Sequence, residues 1–331
     1  MKKRPLKIVV TNPVHQDVLA RLEKSGTVVM NPRSEPWTPA QLARNLRDAD
    51  AMMGFMTDCV GADVLQAAPK LRVIACALKG FDSYDVAACT EAGIWLTIVP
   101  DLLTEPTAEL AVGLAIGLAR NVMAGDTQVR SGQFNGWRPR LYGTGLAGST
   151  VAIIGLGKVG QAIAARLKGF GCARLIGVDP VARPRNIEMA SLRKALSSAD
   201  YVFIAAPLTP GTLHMIAADT LAHCKRGQLM INVGRGSVVD ENAVADALAG
   251  GILAGYAADV FAFEDWALNS RPRAVPAQLR KRPNTLFTPH LGSAVTNVRK
   301  AIEHRAADNI IAVLRGHSPA DAINRPRLRR R

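Results

Sequence analysis

The side chains with most to offer chemically are a histidine and a carboxylate near the C-terminus. His290 stands in Thr288-Pro289-His290-Leu291-Gly292-Ser293, directly after a proline that closes an apolar run, and Glu264 ends Asp259-Val260-Phe261-Ala262-Phe263-Glu264. A histidine facing a carboxylate is an acid–base pair, because the carboxylate fixes the imidazole tautomer and favours its charged form. Taken alone, His290 reads as a structural residue. Arg235, in Asn232-Val233-Gly234-Arg235-Gly236, follows a strand end, where its guanidinium can grip an oxyanion through two parallel bonds. An isolated motif of this kind reads equally well as an arginine paired with a surface acid.

Company decides between these readings. The segment Gly155-Leu156-Gly157-Lys158-Val159-Gly160 lies between an apolar run, Val151 to Ile154, and an amphipathic helical pattern through Phe170. A second apolar run then ends at Asp179, 19 residues past Gly160. Strand, glycine loop, helix and acid in this order make a dinucleotide site. Gly155 permits the tight turn, Gly157 lets the main chain approach a pyrophosphate, and Gly160 lets helix and strand pack closely. The helix N-terminus presents free N–H groups to the anion. Asp179 would accept hydrogen bonds from a ribose diol and repel a 2′-phosphate, so the expected cofactor is NAD rather than NADP, although Arg183 and Arg185 follow closely.

The elements that must hold these groups alternate. Leu6–Thr11, Thr27–Met30, Ala51–Met56, Arg72–Ala77 and Ile94–Val99 read as strands. Helices are expected over Val14–Glu23, from Thr38 to Arg47 and over Ala62–Ala67. A long helix is expected after Pro106 towards Arg130, with a face rich in Ala, Gly and Leu that suits a core helix, an inter-domain crossover or a dimer contact. Beyond the glycine loop, strands are expected at Tyr201–Ala205, Leu229–Val233, Ala254–Ala258 and Thr285–Thr288, and a last helix at Ala294–Gly316. The reading is an α/β protein of two Rossmann-like domains with parallel sheets, the cofactor domain inserted into a discontinuous substrate domain. Residues 1–103 begin the substrate domain, 104–293 form the cofactor domain, and 294–331 return the chain and add a basic tail. Substrate is expected in the cleft between them, at the carboxyl ends of the cofactor-domain strands.

A chain of 331 residues, 48% of them hydrophobic, can fill about two cores. The start Met1-Lys2-Lys3-Arg4 is signal-like, but Thr11-Asn12-Pro13 ends its apolar run too early. The longest apolar stretch, Ala111 to Ala119, falls well short of the roughly 18 residues of a membrane span. A cytoplasmic protein with no membrane partner is expected. Five cysteines form no C-x-x-C pair and fit reduced thiols, and six histidines show no ligand spacing, so no metal is expected. The net charge of +14 is concentrated partly in Arg325–Arg331, a tail expected to be disordered. No aromatic-interleaved basic stretch accompanies it, so nucleic acid is not an expected partner.

The glycine loop, N-x-x-R-G, D-V-F-x-x-E and P-H-x-G-S together resemble the NAD-dependent D-2-hydroxyacid dehydrogenases, over about residues 6 to 324. The resemblance implies that Arg235 orients a substrate anion, His290 handles the proton and Glu264 supports His290. It also implies that Thr104, Pro207 and Asp259 join Gly155, Gly157, Lys158, Val159, Gly160 and Asp179 at the cofactor. A homodimer is implied in the same way. Ala262 departs from the family, which usually has a glutamate there.

Further residues are similar to the phosphite dehydrogenases within that family: Cys76-Ala77-Leu78-Lys79-Gly80-Phe81-Asp82, Val99-Pro100-Asp101-Leu102-Leu103-Thr104, Trp137, Tyr142, Glu264-Asp265-Trp266 and Gly292-Ser293-Ala294-Val295. That resemblance implies oxidation of phosphite, a small dianion, with Lys79, Arg235 and Arg299 around its oxygens and Met56 and Ser293 shaping the pocket. Read alone, Lys79 is a loop lysine in solvent. Gly234 stands where those enzymes more often have Cys. Alternatives are a D-2-hydroxyacid dehydrogenase of glyoxylate/hydroxypyruvate reductase type and, from another class, a corepressor-like NAD sensor without turnover.

Overall fold

The computed structural model describes residues 4–326, and the end of the basic tail, 327–331, with its expected disorder, lies outside the described residues. The chain divides into two compact units: Met1–Leu103 with Trp266–Asn269 and Val295–Arg331, and Thr104–Asp265 with Ser270–Ala294. Trp266–Asn269 fall with the first unit although they lie inside the expected cofactor stretch.

The first unit holds a five-stranded sheet of β1 (Lys7–Val10), β2 (Thr27–Met30), β3 (Ala51–Gly54), β4 (Val73–Cys76) and β5 (Trp95–Thr97), in the order β2-β1-β3-β4-β5. Every pairing in it is parallel. Parallel sheets are covered on both faces, which is why β3 and β4 are unbroken apolar runs with every residue buried. The covering helix Pro39–Leu46 begins with a capping box, in which Thr38 Oγ1 accepts from the Gln41 amide and the Gln41 side chain accepts from the Thr38 amide. The last helix, Thr296–Leu314, buries Ile302, Ala306, Ile310 and Val313 in one cluster with Ile8, Val10 and Val73. A short helix at Val86–Glu91, capped by Asp85, adds to the elements expected from the pattern.

The second unit holds β6 (Thr150–Ile154), β7 (Arg174–Val178), β8 (Glu188–Met189), β9 (Tyr201–Ile204), β10 (Gln228–Asn232), β11 (Leu253–Ala258) and β12 (Thr285–Phe287). Their order is β12-β11-β10-β9-β6-β7-β8, all parallel, with the reversal of direction between β6 and β9. This is the doubly wound arrangement whose ligand site lies at the carboxyl ends of the strands flanking the reversal. Fully buried Val151, Ile153, Tyr201, Phe203 and Ile231 fill one face of the sheet, each worth about 1.5–3 kcal/mol relative to exposure.

The long helix differs from expectation. Thr104–Ala119 is a core helix, but it ends before Asn121, whose φ of 53° lies in the left-handed region and cannot continue a right-handed helix. The following helix, Val122–Arg130, turns away by 66° and buries none of its residues. Asn121 is held there by its side-chain amide, which donates to the carbonyls of Leu141 and Tyr142. Among the described residues no single helix is long and apolar enough to cross a membrane.

Candidate active site

The glycine loop follows β6 as a sequence of close approaches. Gly155 has φ of 90°, and a side-chain carbon on it would lie 2.7 Å from the Ala206 amide nitrogen. One on Gly160 would lie 1.9 Å from the Gly155 carbonyl oxygen, so helix Lys158–Leu167 packs against β6 at a distance only glycine permits. Gly157, at the N-cap, faces open space and carries no side-chain cap, leaving Lys158, Val159 and Gly160 to begin the helix. Asp179 closes the loop: its Oδ2 accepts from the Leu156 amide at 2.8 Å and its Oδ1 from Val181 and Ala182 at 2.8 and 2.7 Å. Burial pushes this carboxyl up, but the Ala182, Val181 and Leu156 amides outweigh it and hold the group below the usual carboxylate range. Arg183 turns its guanidinium onto the Asp179 and Ala182 carbonyls at 2.7 and 2.8 Å. Thr104 Oγ1 is buried without a hydrogen-bond partner. An open glycine, an uncapped helix start, an ionised acid at the end of β7 and an orphan hydroxyl fit a dinucleotide.

The acid–base pair forms in the same unit. His290 Nδ1 lies 2.8 Å from Glu264 Oε2, each side chain little more than one fifth exposed. Glu264 Oε1 accepts from the Phe261 amide at 3.0 Å, which leaves the carboxylate no freedom to swing. His290 has φ of 56°, unusual for a residue with a Cβ, and strain of this kind persists only where surrounding contacts impose it. Asp259 imposes it. Its Oδ1 accepts from Thr288 Oγ1 at 2.6 Å and the Leu291 amide at 2.7 Å, its Oδ2 from the Gly292 amide at 2.8 Å, and its own carbonyl from the His290 amide at 2.9 Å. Asp259, expected at the cofactor, therefore has both carboxylate oxygens engaged by the turn that carries His290 and Ser293. Nothing in the local sequence pattern signals this.

Arg235 leaves β10 through Asn232, whose side chain accepts from the Gly234 amide and donates to the Arg235 carbonyl, both at 3.0 Å. Gly234 has no room for a larger residue, since a side-chain carbon there would lie 2.5 Å from the Ala206 carbonyl oxygen. Pro207, next in that segment, accepts from Thr212 Oγ1 at 2.6 Å. At Ala262 the backbone amide donates to Glu241 Oε1 at 2.8 Å.

The first unit gathers a second set. Arg299 Nη1 donates to the Ala77 carbonyl at 3.2 Å, its Nη2 lies 3.9 Å from Glu303 Oε1, and its Cζ stands 6.0 Å from the Phe55 ring centre. Burial pulls the Arg299 pKa down and the Glu303 carboxylate pushes it back up. Lys79, half-buried, stands two residues past Ala77, and Met56 directly follows Phe55. Glu303, which carries no motif in the sequence, is buried and also accepts from the His15 amide at 2.9 Å.

A glycine loop of dinucleotide type, Arg235 beyond the end of β10 and a histidine bonded to a carboxylate stand on one doubly wound sheet, the arrangement of a nicotinamide-dependent dehydrogenase. The chain belongs to the D-isomer specific 2-hydroxyacid dehydrogenase family, whose NAD binding domain profile matches residues 112–292. It is 37% identical over 293 residues to glyoxylate reductase from Pyrococcus horikoshii, covering 86% of this chain and 85% of that one. Among solved structures it is similar to the TT0316 protein of Thermus thermophilus, at a TM-score of 0.88 and 33% identity, over 96% of this chain and all of that one. A second is the NADPH-dependent glyoxylate/hydroxypyruvate reductase of Sinorhizobium meliloti, in complex with NADP and malonate, at a TM-score of 0.86 and 30% identity over 99% of each chain. These names speak for the hydroxyacid alternative more than for phosphite.

Proposed function

We propose that the chain is an NAD-dependent dehydrogenase of small 2-hydroxy acids, and in reverse a reductase of 2-oxo acids of the glyoxylate and hydroxypyruvate type. The observation that carries this reading is the His290–Glu264 contact at 2.8 Å, which uses Nδ1 and leaves the other ring nitrogen to exchange a proton with substrate. Bound NAD supplies the acceptor for the hydride leaving C2. His290 takes the hydroxyl proton as the carbonyl forms, and Glu264 stabilises the resulting imidazolium. Arg235 holds the substrate carboxylate through its fork. NADH oxidation with glyoxylate and hydroxypyruvate, compared between the wild type and His290→Asn, tests the reading. NAD binding with no turnover would favour a corepressor-like sensor.

Phosphite is the second reading, favoured by the cation-rich first unit. A monocarboxylate needs one arginine, whereas a dianion calls for more positive charge, and Arg299 is held beside the segment carrying Lys79, with Met56 near Phe55. In this reaction the P–H hydride leaves for NAD while a water oxygen bonds to phosphorus and gives its proton to His290; Ser293 would shape the pocket. NADH formation with phosphite that disappears in Lys79→Ala and Arg299→Ala supports it, and turnover of hydroxy acids alone rejects it.

A homodimer and a cytoplasmic location complete the proposal. The outward helix Val122–Arg130 and the loop after it expose Met123, Val129, Phe134, Trp137 and Tyr142, the last two about three-quarters exposed. A run of large apolar groups on one segment fits a subunit contact. A light-scattering mass of one chain would reject the dimer.

A further inference from the structure

Two loops of the second unit carry the polar groups of the reaction, one following β10 with Arg235 and one following β11 with Glu264. Their backbones touch: a side-chain carbon on Gly236 would lie 1.8 Å from the Phe261 carbonyl carbon. Each loop then sends one buried carboxylate into the other. Glu241 Oε1 accepts from the Ala262 amide at 2.8 Å, and Asp265 Oδ2 accepts from the Ser237 amide at 2.6 Å. The exchange is reciprocal, and each amide lies two residues from Arg235 or Glu264. Both belong to single 3₁₀ turns, Gly236–Val238 and Ala262–Glu264, whose opening amides have no partner within so short a helix.

We infer that Glu241 and Asp265 are positioning residues, a reciprocal pair of carboxylate caps that fixes the spacing between Arg235 and the Glu264–His290 pair. This rests on the reading above of Arg235, Glu264 and His290 as the groups that hold and deprotonate the substrate.

The cost of the arrangement argues for that role. Glu241 is 5% and Asp265 2% exposed, and a buried carboxylate is expensive unless well bonded. Glu241 Oε2 is buried with no hydrogen-bond partner. Burial, with Asp265, Glu264 and Asp240 nearby, pushes its carboxyl up to about 7 despite the Ala262 bond. A short carboxylate reaching one amide sets one distance, and substrate held between Arg235 and His290 depends on that distance.

The test compares kcat, KM and NAD affinity in Glu241→Ala, Asp265→Ala, Glu241→Gln, Asp265→Asn and the length variants Glu241→Asp and Asp265→Glu, with His290→Asn as control. A misplacement near 1 Å can cost about a hundredfold. The alanine and length variants are therefore expected to lose about tenfold or more in kcat while NAD affinity stays within about threefold. The amide variants keep an acceptor oxygen and are expected to recover to within about threefold of wild type. If an alanine variant does not fold, the length variants, which keep the carboxyl group, decide alone. Folded length variants with wild-type kcat overturn the inference, as do amide variants as impaired as the alanine ones. A fully active His290→Asn would instead overturn the reading on which it rests.

Discussion

Replacing Glu241 by Gln should make the cofactor-binding unit less sensitive to pH. The folded-state pKa of Glu241 is about 7 against 4.5 for the free carboxyl, a rise caused first by burial. Between these values the folded protein holds a proton that the unfolded chain has lost, so stability falls as pH rises through the window. Below pH 4.5 the group is neutral in both states and costs nothing; above pH 7 the loss is complete. At about 1.4 kcal/mol per pH unit, going from pH 5 to pH 8 removes about 3 kcal/mol from the wild type that Gln, with no proton to lose, retains. At roughly 2–4 °C per kcal/mol for a unit of this size, the gap between variant and wild type should widen by about 6–12 °C over that range. Scanning calorimetry measures it, reading the transition that NAD raises, because a ligand stabilises the unit that binds it. A gap independent of pH would show that Glu241 stays ionised in the fold. A gap that narrows with pH would show that the fold lowers the Glu241 pKa instead of raising it.

Two glycine substitutions give contrasting outcomes. Gly157→Ala meets nothing in the protein within 4 Å, so thermal stability should hold within about 1 kcal/mol while NAD affinity falls at least about tenfold, a pairing that calorimetry and titration check together. Gly234→Cys places a carbon 2.5 Å from the Ala206 carbonyl oxygen and should destabilise by about 1–3 kcal/mol in denaturant titration.

Much of this fold is local and so readable in the sequence. The strands of both sheets are short apolar runs, and the glycine loop, Thr38 and the Arg235, Glu264 and His290 motifs announce themselves by residue type and spacing. The break at Asn121 was not readable, because the Ala- and Leu-rich helix continues in composition while one left-handed residue redirects the chain. Long-range acceptors were equally silent. The sequence does not show that the Asp259 oxygens hold Thr288, Leu291 and Gly292, and Glu241 looks like an ordinary first-turn acid until its oxygen meets Ala262. Such bonds join side chains to backbone amides, and an amide carries no sequence signature.

In the proposed function Arg235, Glu264 and His290 work on a small anion beside NAD. NAD-linked turnover by the purified chain should be measured with glyoxylate, hydroxypyruvate, D-glycerate and phosphite, in the wild type, Arg235→Ala and His290→Asn. Turnover of at least one of these anions is expected, with a rise in KM for Arg235→Ala and a fall in kcat of about 10²–10⁴ for His290→Asn with NAD affinity retained. Tight NAD binding with no turnover of any of the four, or turnover indifferent to His290, would contradict it.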